Sequence, residues 1–412
     1  MDDHTGTDTP GTGSGTTEKG NGSGAWSDAG SGRVWLWAVA WALGLSAAWA
    51  LLAWDLPAVP VPGASTPRFW LPWSPVAVAA ILGFLAVTGR KAFVTRRPRR
   101  LAIPVFVLAG AAPFLVAALV GLSAGGRTGD AAALSSAHLA IFSAACLGIA
   151  LTWGSPDVAN DRFAALTKAL EVLVAAAILF AILEIAGGLT LGIFSVLGLV
   201  TPGDVVQIGA NLAFGVIPVL AVAAAYDPAA DLSDQDLSRG PLRWLRLFAR
   251  LAMVPALAIM AAYVIIFIPL FFVKAFQDRA VLLVYNGTIM AVLALLVLVL
   301  PAKGENLSQG FSRLLRRGML ALAGATFALN VYALAANAER VFRLGLTANR
   351  HVVLGWNLVT LLILGMILVG QARLGTLNES AWDFAFRRAT ALGMAVAAVW
   401  SLWVTLASPL LW

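Results

Sequence analysis

Apolar stretches recur along nearly the whole chain, separated by short polar segments, and their lengths read as helices. A membrane-crossing helix needs ~20 consecutive apolar residues. Runs near that length fall at about 34–54, 71–89, 101–122, 132–152, 166–186, 205–225, 251–273, 281–300, 317–336, 351–371 and 389–409. None has the broad polar face that a soluble helix turns to water. The pattern predicts an all-α fold, a polytopic integral membrane bundle of about eleven transmembrane helices spanning residues 33–412.

Three segments break the rhythm. Residues 1–32 are rich in Gly, Ser, Thr and Asp with no apolar period, which predicts a disordered tail. The tail is too long and polar for a signal-peptide n-region, so the first span reads as a retained anchor. Residues 189–200 are apolar but short, bracketed by Gly187-Gly188 and Pro202-Gly203. That length predicts a re-entrant or interfacial segment over 187–204, on the outer face. Residues 226–250 form the largest inner connection; Arg239, Arg243, Arg246 and Arg250 recur at helical spacing, with Trp244 and Leu247 placed to dip into lipid. This predicts a loop carrying an amphipathic helix at the inner leaflet.

Charge supplies the orientation. With the N-terminus in the cytoplasm, the inner segments hold 21 of the 28 Lys and Arg and the outer segments seven. The positive-inside rule therefore places the N-terminus in and the C-terminus out, across the cytoplasmic membrane of a cell. The net charge of +7 then needs no nucleic acid to explain it. Sixty per cent hydrophobic and 12% charged residues exclude an ordinary soluble domain, in which charged residues run to about 25%. Arg outnumbers Lys 23 to 5 and Ala is abundant, a composition of GC-rich bacterial genomes.

The chemistry-bearing residues are few. A lone cysteine, Cys146, allows no intramolecular disulfide, and His4, His138 and His351 are too scattered for a zinc motif. No P-loop, G-x-S-x-G or H-E-x-x-H is present. No metal, cofactor or catalytic residue is expected. Prolines inside the apolar runs (Pro104, Pro113, Pro218, Pro255, Pro269) predict kinks, and no internal repeat of the transporter kind is visible.

Polar residues within the apolar runs are the functional candidates. Asn211, Asn330 and Asn357, with Glu184 and Tyr332, lie in the outer halves of their helices. Between the ninth and tenth runs stand Arg340, Arg343 and Arg350. If these helices are neighbours, the residues form an outward-facing polar pocket with an arginine rim, suited to a phosphate or carboxylate. The competing readings are amides that join helices and arginines that snorkel to headgroups. Lys168 and Glu171, three apart, read as an ion pair that satisfies itself.

The same region carries a resemblance. Tyr332-Ala333-Leu334, then Arg340, Gly345-Leu346-Thr347 and Arg350, preceded by Leu251 to Leu257, Tyr263 and Lys274, resembles a family of bacterial multi-spanning membrane proteins called domain of unknown function 4153. It covers roughly residues 245–370. Arg343, Leu344 and Ala348 depart from the family pattern. The resemblance implies a multi-pass membrane fold and supplies no activity. Physically, Gly345 reads as a helix C-cap and Thr347 as the next N-cap, so a rigid helix corner stands beside the binding reading.

The sequence thus supports a transporter or binder of an anionic small molecule or lipid headgroup. Membrane lipids are the expected partners. A non-catalytic scaffold or signalling partner, and a transferase acting on a lipid-linked substrate, remain as alternatives.

Overall fold

The computed structural model describes residues 28–52, 67–88, 99–124, 130–198, 203–228, 230, 232, 235, 241–301, 307–374 and 382–411. All regular structure among them is helical. Eleven helices have 21 or more residues: α1 (Asp28–Leu52), α2 (Pro67–Thr88), α3 (Arg99–Ala124), α4 (Asp130–Thr152), α5 (Val158–Val196), α6 (Gly203–Ala225), α7 (Pro241–Ala262), α8 (Arg279–Val299), α9 (Gln309–Leu344), α10 (Ala348–Leu374) and α11 (Trp382–Leu411). Seven of the described helices are long and apolar enough to cross a membrane: α4, α5, α7 with its continuation to Leu270, and α8 to α11. The chain is a multi-pass helical membrane protein.

Three boundaries differ from expectation. The tail predicted over 1–32 ends earlier, because α1 already begins at Asp28; residues 1–27 lie outside the described residues. The segment predicted over 187–204 is not a separate re-entrant element. Residues 187–196 continue α5 without a break, and the helix stops at Leu197 and Gly198, the latter at φ 69°. Two glycines cost a helix about 1 kcal/mol each. Among apolar neighbours with no other partner for their backbone groups, keeping the helical hydrogen bonds outweighs that cost. Residues 199–202 lie outside the described residues. Thirdly, the amphipathic helix predicted within 226–250 is no separate lead-in: from Pro241 it runs straight into the span of α7. Its Arg246 is buried, whereas Trp244, Leu247 and Phe248 are exposed. The basic side at this point turns into the protein.

α4 packs against α2, α3, α5, α10 and α11. On one side α1 packs on α6 and α2, and α6 on α5; on the other, α11, α10, α9 and α8 follow in sequence, with α7 against α8 and α9. Small residues set the closest approach. A Cβ on Gly215 of α6 would sit 2.4 Å from the Cα of Ser46 on α1, and the Ser46 hydroxyl donates to the Leu212 carbonyl across the pair at 3.1 Å. Close backbone contact of this kind holds helices together where lipid is as apolar as the core.

α7 is interrupted. Over Tyr263–Phe267 it widens to a π-helical turn, with the Ile268 N–H donating to the Tyr263 carbonyl. Pro269 follows; its ring clashes with the carbonyl four residues back, and the widened turn accommodates this. Helix ends after Leu270, and a short turn over Lys274–Gln277 leads to α8, which Asp278 caps through the Ala280 N–H at 2.8 Å.

Candidate functional site

The structure divides the eight predicted site residues among separate places. Asn330 and Asn357 meet, both buried, where α9 packs on α10. Asn330 Nδ2 donates to the Asn357 carbonyl at 3.1 Å and to the Thr360 hydroxyl at 2.7 Å. Asn330 Oδ1 and Asn357 Nδ2 are buried without a protein partner among the described residues. Asn211 is buried elsewhere, on α6, which packs on α1, α2 and α5. Glu184 is exposed on the C-terminal half of α5, where no residue beyond Ala175 is buried. The structure thus brings Asn330 and Asn357 together and places Asn211 and Glu184 on other helices.

Tyr332 faces another way. Its hydroxyl donates to the Phe272 carbonyl at the break after α7, and its ring packs on Phe272, Phe276 and Tyr285 with centroids 5.4 to 6.0 Å apart. Tyr285 in turn packs edge-on against Tyr263 at 5.7 Å. Three of the four tyrosines of the chain therefore line the break between α7 and α8.

The three arginines are unequal. The Arg350 guanidinium donates through Nη1 to the carbonyls of Leu344, at 2.9 Å, and Gly345, at 2.6 Å, so it closes the C-terminus of α9. Gly345 has φ 78° and ψ 164°, a region open essentially to glycine alone. The Thr347 hydroxyl accepts from the Arg350 N–H at 3.4 Å, as an N-cap does. The rigid corner expected from Gly345 and Thr347 is thus present. Arg343 pairs with Glu339 at 3.0 Å on an exposed surface. Arg340 keeps Nη1 enclosed with no partner among the described residues.

A cavity lies deeper. It has a volume of about 250 Å³ and is walled by α5, α8, α10 and α11. One end is marked by Met290 and Trp356, the other by Phe163, Leu300 and Phe386; the remaining wall is almost entirely aliphatic. Its polar atoms are taken up by the protein. The Trp356 indole N–H donates to His138 Nε2 at 2.8 Å. His138 Nδ1 therefore carries the ring proton and donates to the Leu134 carbonyl at 2.7 Å. The Thr360 hydroxyl bonds the Trp356 carbonyl at 2.9 Å besides Asn330, and the Thr390 hydroxyl bonds the Phe386 carbonyl at 2.8 Å. What faces the cavity is hydrocarbon.

Below the Phe163 end lies a layer of buried charge. Lys168 donates to Glu171 and to the Ala225 carbonyl at the C-terminus of α6, both at 2.8 Å, so the expected pair forms and the cation also sits at the negative helix end. The Arg387 guanidinium stacks over the Phe163 ring at 4.8 Å and donates to the Pro301 carbonyl at 2.6 Å. Arg387 is buried. Gln371 bridges Arg316 and the Trp382 carbonyl. A basic residue one turn after Asp383 was the available signal, and it does not distinguish a loop from a buried helix start.

Among the described residues no group of three or more His, Cys, Asp or Glu is arranged to hold a metal ion. In comparisons with known proteins, no family model matches the chain, and no curated protein and no solved structure matches it.

Proposed function

We propose that the protein binds a membrane lipid, holding its hydrocarbon in the cavity between α5, α8, α10 and α11. The cavity itself carries this reading. Left unfilled, its apolar wall loses dispersion contacts over about 250 Å³. Among the described residues the wall offers water only spare lone pairs of the Thr360 and Thr390 hydroxyls, too few partners for a water cluster. Hydrocarbon is the abundant material at that depth.

The setting of this proposal is a bacterial cytoplasmic membrane crossed by all eleven helices, N-terminus inside. It is supported by the Lys and Arg bias of the inner segments and the excess of Arg over Lys. Membership in the family called domain of unknown function 4153 is supported by the residues from Tyr332 to Arg350, whose Gly345 and Thr347 form a helix corner.

A second reading, an anionic headgroup held at the outer corner, rests on Arg340, whose enclosed Nη1 has no partner among the described residues, beside exposed Phe342 and Leu344. A transport role is favoured by one feature, the interruption of α7 at Phe271, since transporters use broken helices within the membrane.

Native mass spectrometry of the full chain, released from mild detergent, tests the first reading. The wild type carries one lipid adduct, and Ala294→Phe, which fills the cavity, loses it. Equal adducts on both proteins contradict the proposal. Arg340→Ala removes the adduct only if the headgroup reading holds.

A further inference from the structure

The shape of the cavity narrows the ligand, on the premise that a lipid is bound there. Along α10 the wall runs from Trp356 through Thr360 and Ile363 to Ile367, and along α11 from Phe386 to Ala397. Eleven residues of helix give a slot about 16 Å long, which an extended chain of about a dozen carbons fills. The slot is also narrow. Its 250 Å³ lies below the ~300–1,000 Å³ of sites that hold drug-sized ring systems. A Cβ on Gly393 would already meet Ile363 at 2.5 Å, so the α10–α11 wall has no slack for a branched or fused-ring body.

The slot is closed at one end and open at the other. Phe163 of α5 belongs to the same core as Leu296 and Leu300 of α8, which seals the far end. Towards the α9–α10 corner both helices are open to the surroundings: Leu173 and Ile178 of α5 are 65% and 51% exposed, and Met290 of α8 is 49% exposed. A mouth between α5 and α8 thus faces the bilayer laterally, in the leaflet that holds the corner. In the orientation proposed above, that is the outer leaflet.

We infer that the slot takes one unbranched acyl chain of an outer-leaflet lipid, admitted sideways between α5 and α8. The terminal methyl points to Phe163 and Phe386, and the chain leaves the slot past Met290 and Trp356 at the mouth. Its volume of about 250 Å³ leaves no room for a sterol or for a second acyl chain beside the first.

Photolabelling along the chain reads this directly. The full-length protein in nanodiscs is given lysophospholipids with a dodecanoyl chain that carries a diazirine either at the fourth carbon or at the terminal carbon. The terminal probe is expected to label Phe163, Ile367 or Phe386, and the fourth-carbon probe Met290 or Trp356. Ala294→Phe, or Ala397→Phe should the first fold poorly, abolishes both. A polyprenyl phosphate that competes as well as an unlabelled dodecanoyl lysophospholipid overturns the single-chain inference while leaving lipid binding intact. Labelling unchanged by either filled slot overturns both.

Discussion

Trp356 and His138, 218 residues apart, are joined by a hydrogen bond of 2.8 Å that ties α10 to α4 beside the end of the cavity. A second tie of the same kind links Trp403 of α11 to His351 of α10, at 3.3 Å. Each histidine accepts from an indole N–H. Removing the donor at the buried site leaves His138 Nε2 unpaired, at about 1–3 kcal/mol. Trp356→Phe is therefore expected to lower the thermal unfolding midpoint in detergent, measured by intrinsic fluorescence. Trp403→Phe, at an exposed position, is expected to change it little.

The close approach at Gly215 and Ser46 makes a sharp contrast with the glycines of α5. Gly215→Ala must push α1 and α6 apart, because the new Cβ meets backbone rather than a movable side chain. Gly192 has nothing within 4 Å. There Gly→Ala is expected to stabilise by up to about 1 kcal/mol through helix propensity. Opposite shifts of the unfolding midpoint for the two substitutions are expected. A gain at both would show that the α1–α6 contact is looser than described.

Lys168 and Glu171 are buried together, with the cation bound also to the Ala225 carbonyl. Lys168→Met leaves a carboxylate buried without its cation, at about 3–5 kcal/mol. Lys168→Met combined with Glu171→Leu is expected to recover most of that loss. Yield and unfolding midpoint of the single and double variants measure it; a double variant no better than the single would mean that the Ala225 bond carries the effect.

The topology has its own check. With Cys146 replaced by Ser, Thr347→Cys is expected to react with an impermeant maleimide added to intact cells, and Ser308→Cys only after permeabilisation. Reaction of Ser308→Cys from outside reverses the orientation.

The sequence made the helices legible and their partners largely illegible. Length and hydropathy place eleven apolar runs, and eleven long helices lie over them. The Gly345–Thr347 corner and the Lys168–Glu171 pair were readable because both are local: a positive φ next to a cap, and an i, i+3 spacing. Asn330 and Asn357 were legible as candidates, but the Thr360 hydroxyl that joins them was not, and the pairing of Arg350 with two carbonyls is invisible to a reading of side chains. The cavity left no trace. Ile363, Leu293 and Leu170 line it, while Leu173 faces lipid, and all are equally apolar. In a membrane the inside is not marked by hydropathy, because lipid is as apolar as the core. Glu184 and Asn211 were grouped with the others for depth alone, and depth says nothing about which side of a helix meets which neighbour.

The slot between α5, α8, α10 and α11 is proposed to hold lipid hydrocarbon. A cryo-electron microscopy map of the full chain in lipid nanodiscs tests it most directly. One elongated density about 16 Å long, estimated from the helical rise, is expected to run from Met290 and Trp356 towards Phe163 and Phe386. It is absent from the map of Ala294→Phe. A wild-type map in which α8 has closed onto α5, leaving neither slot nor density, would show that no lipid is held there.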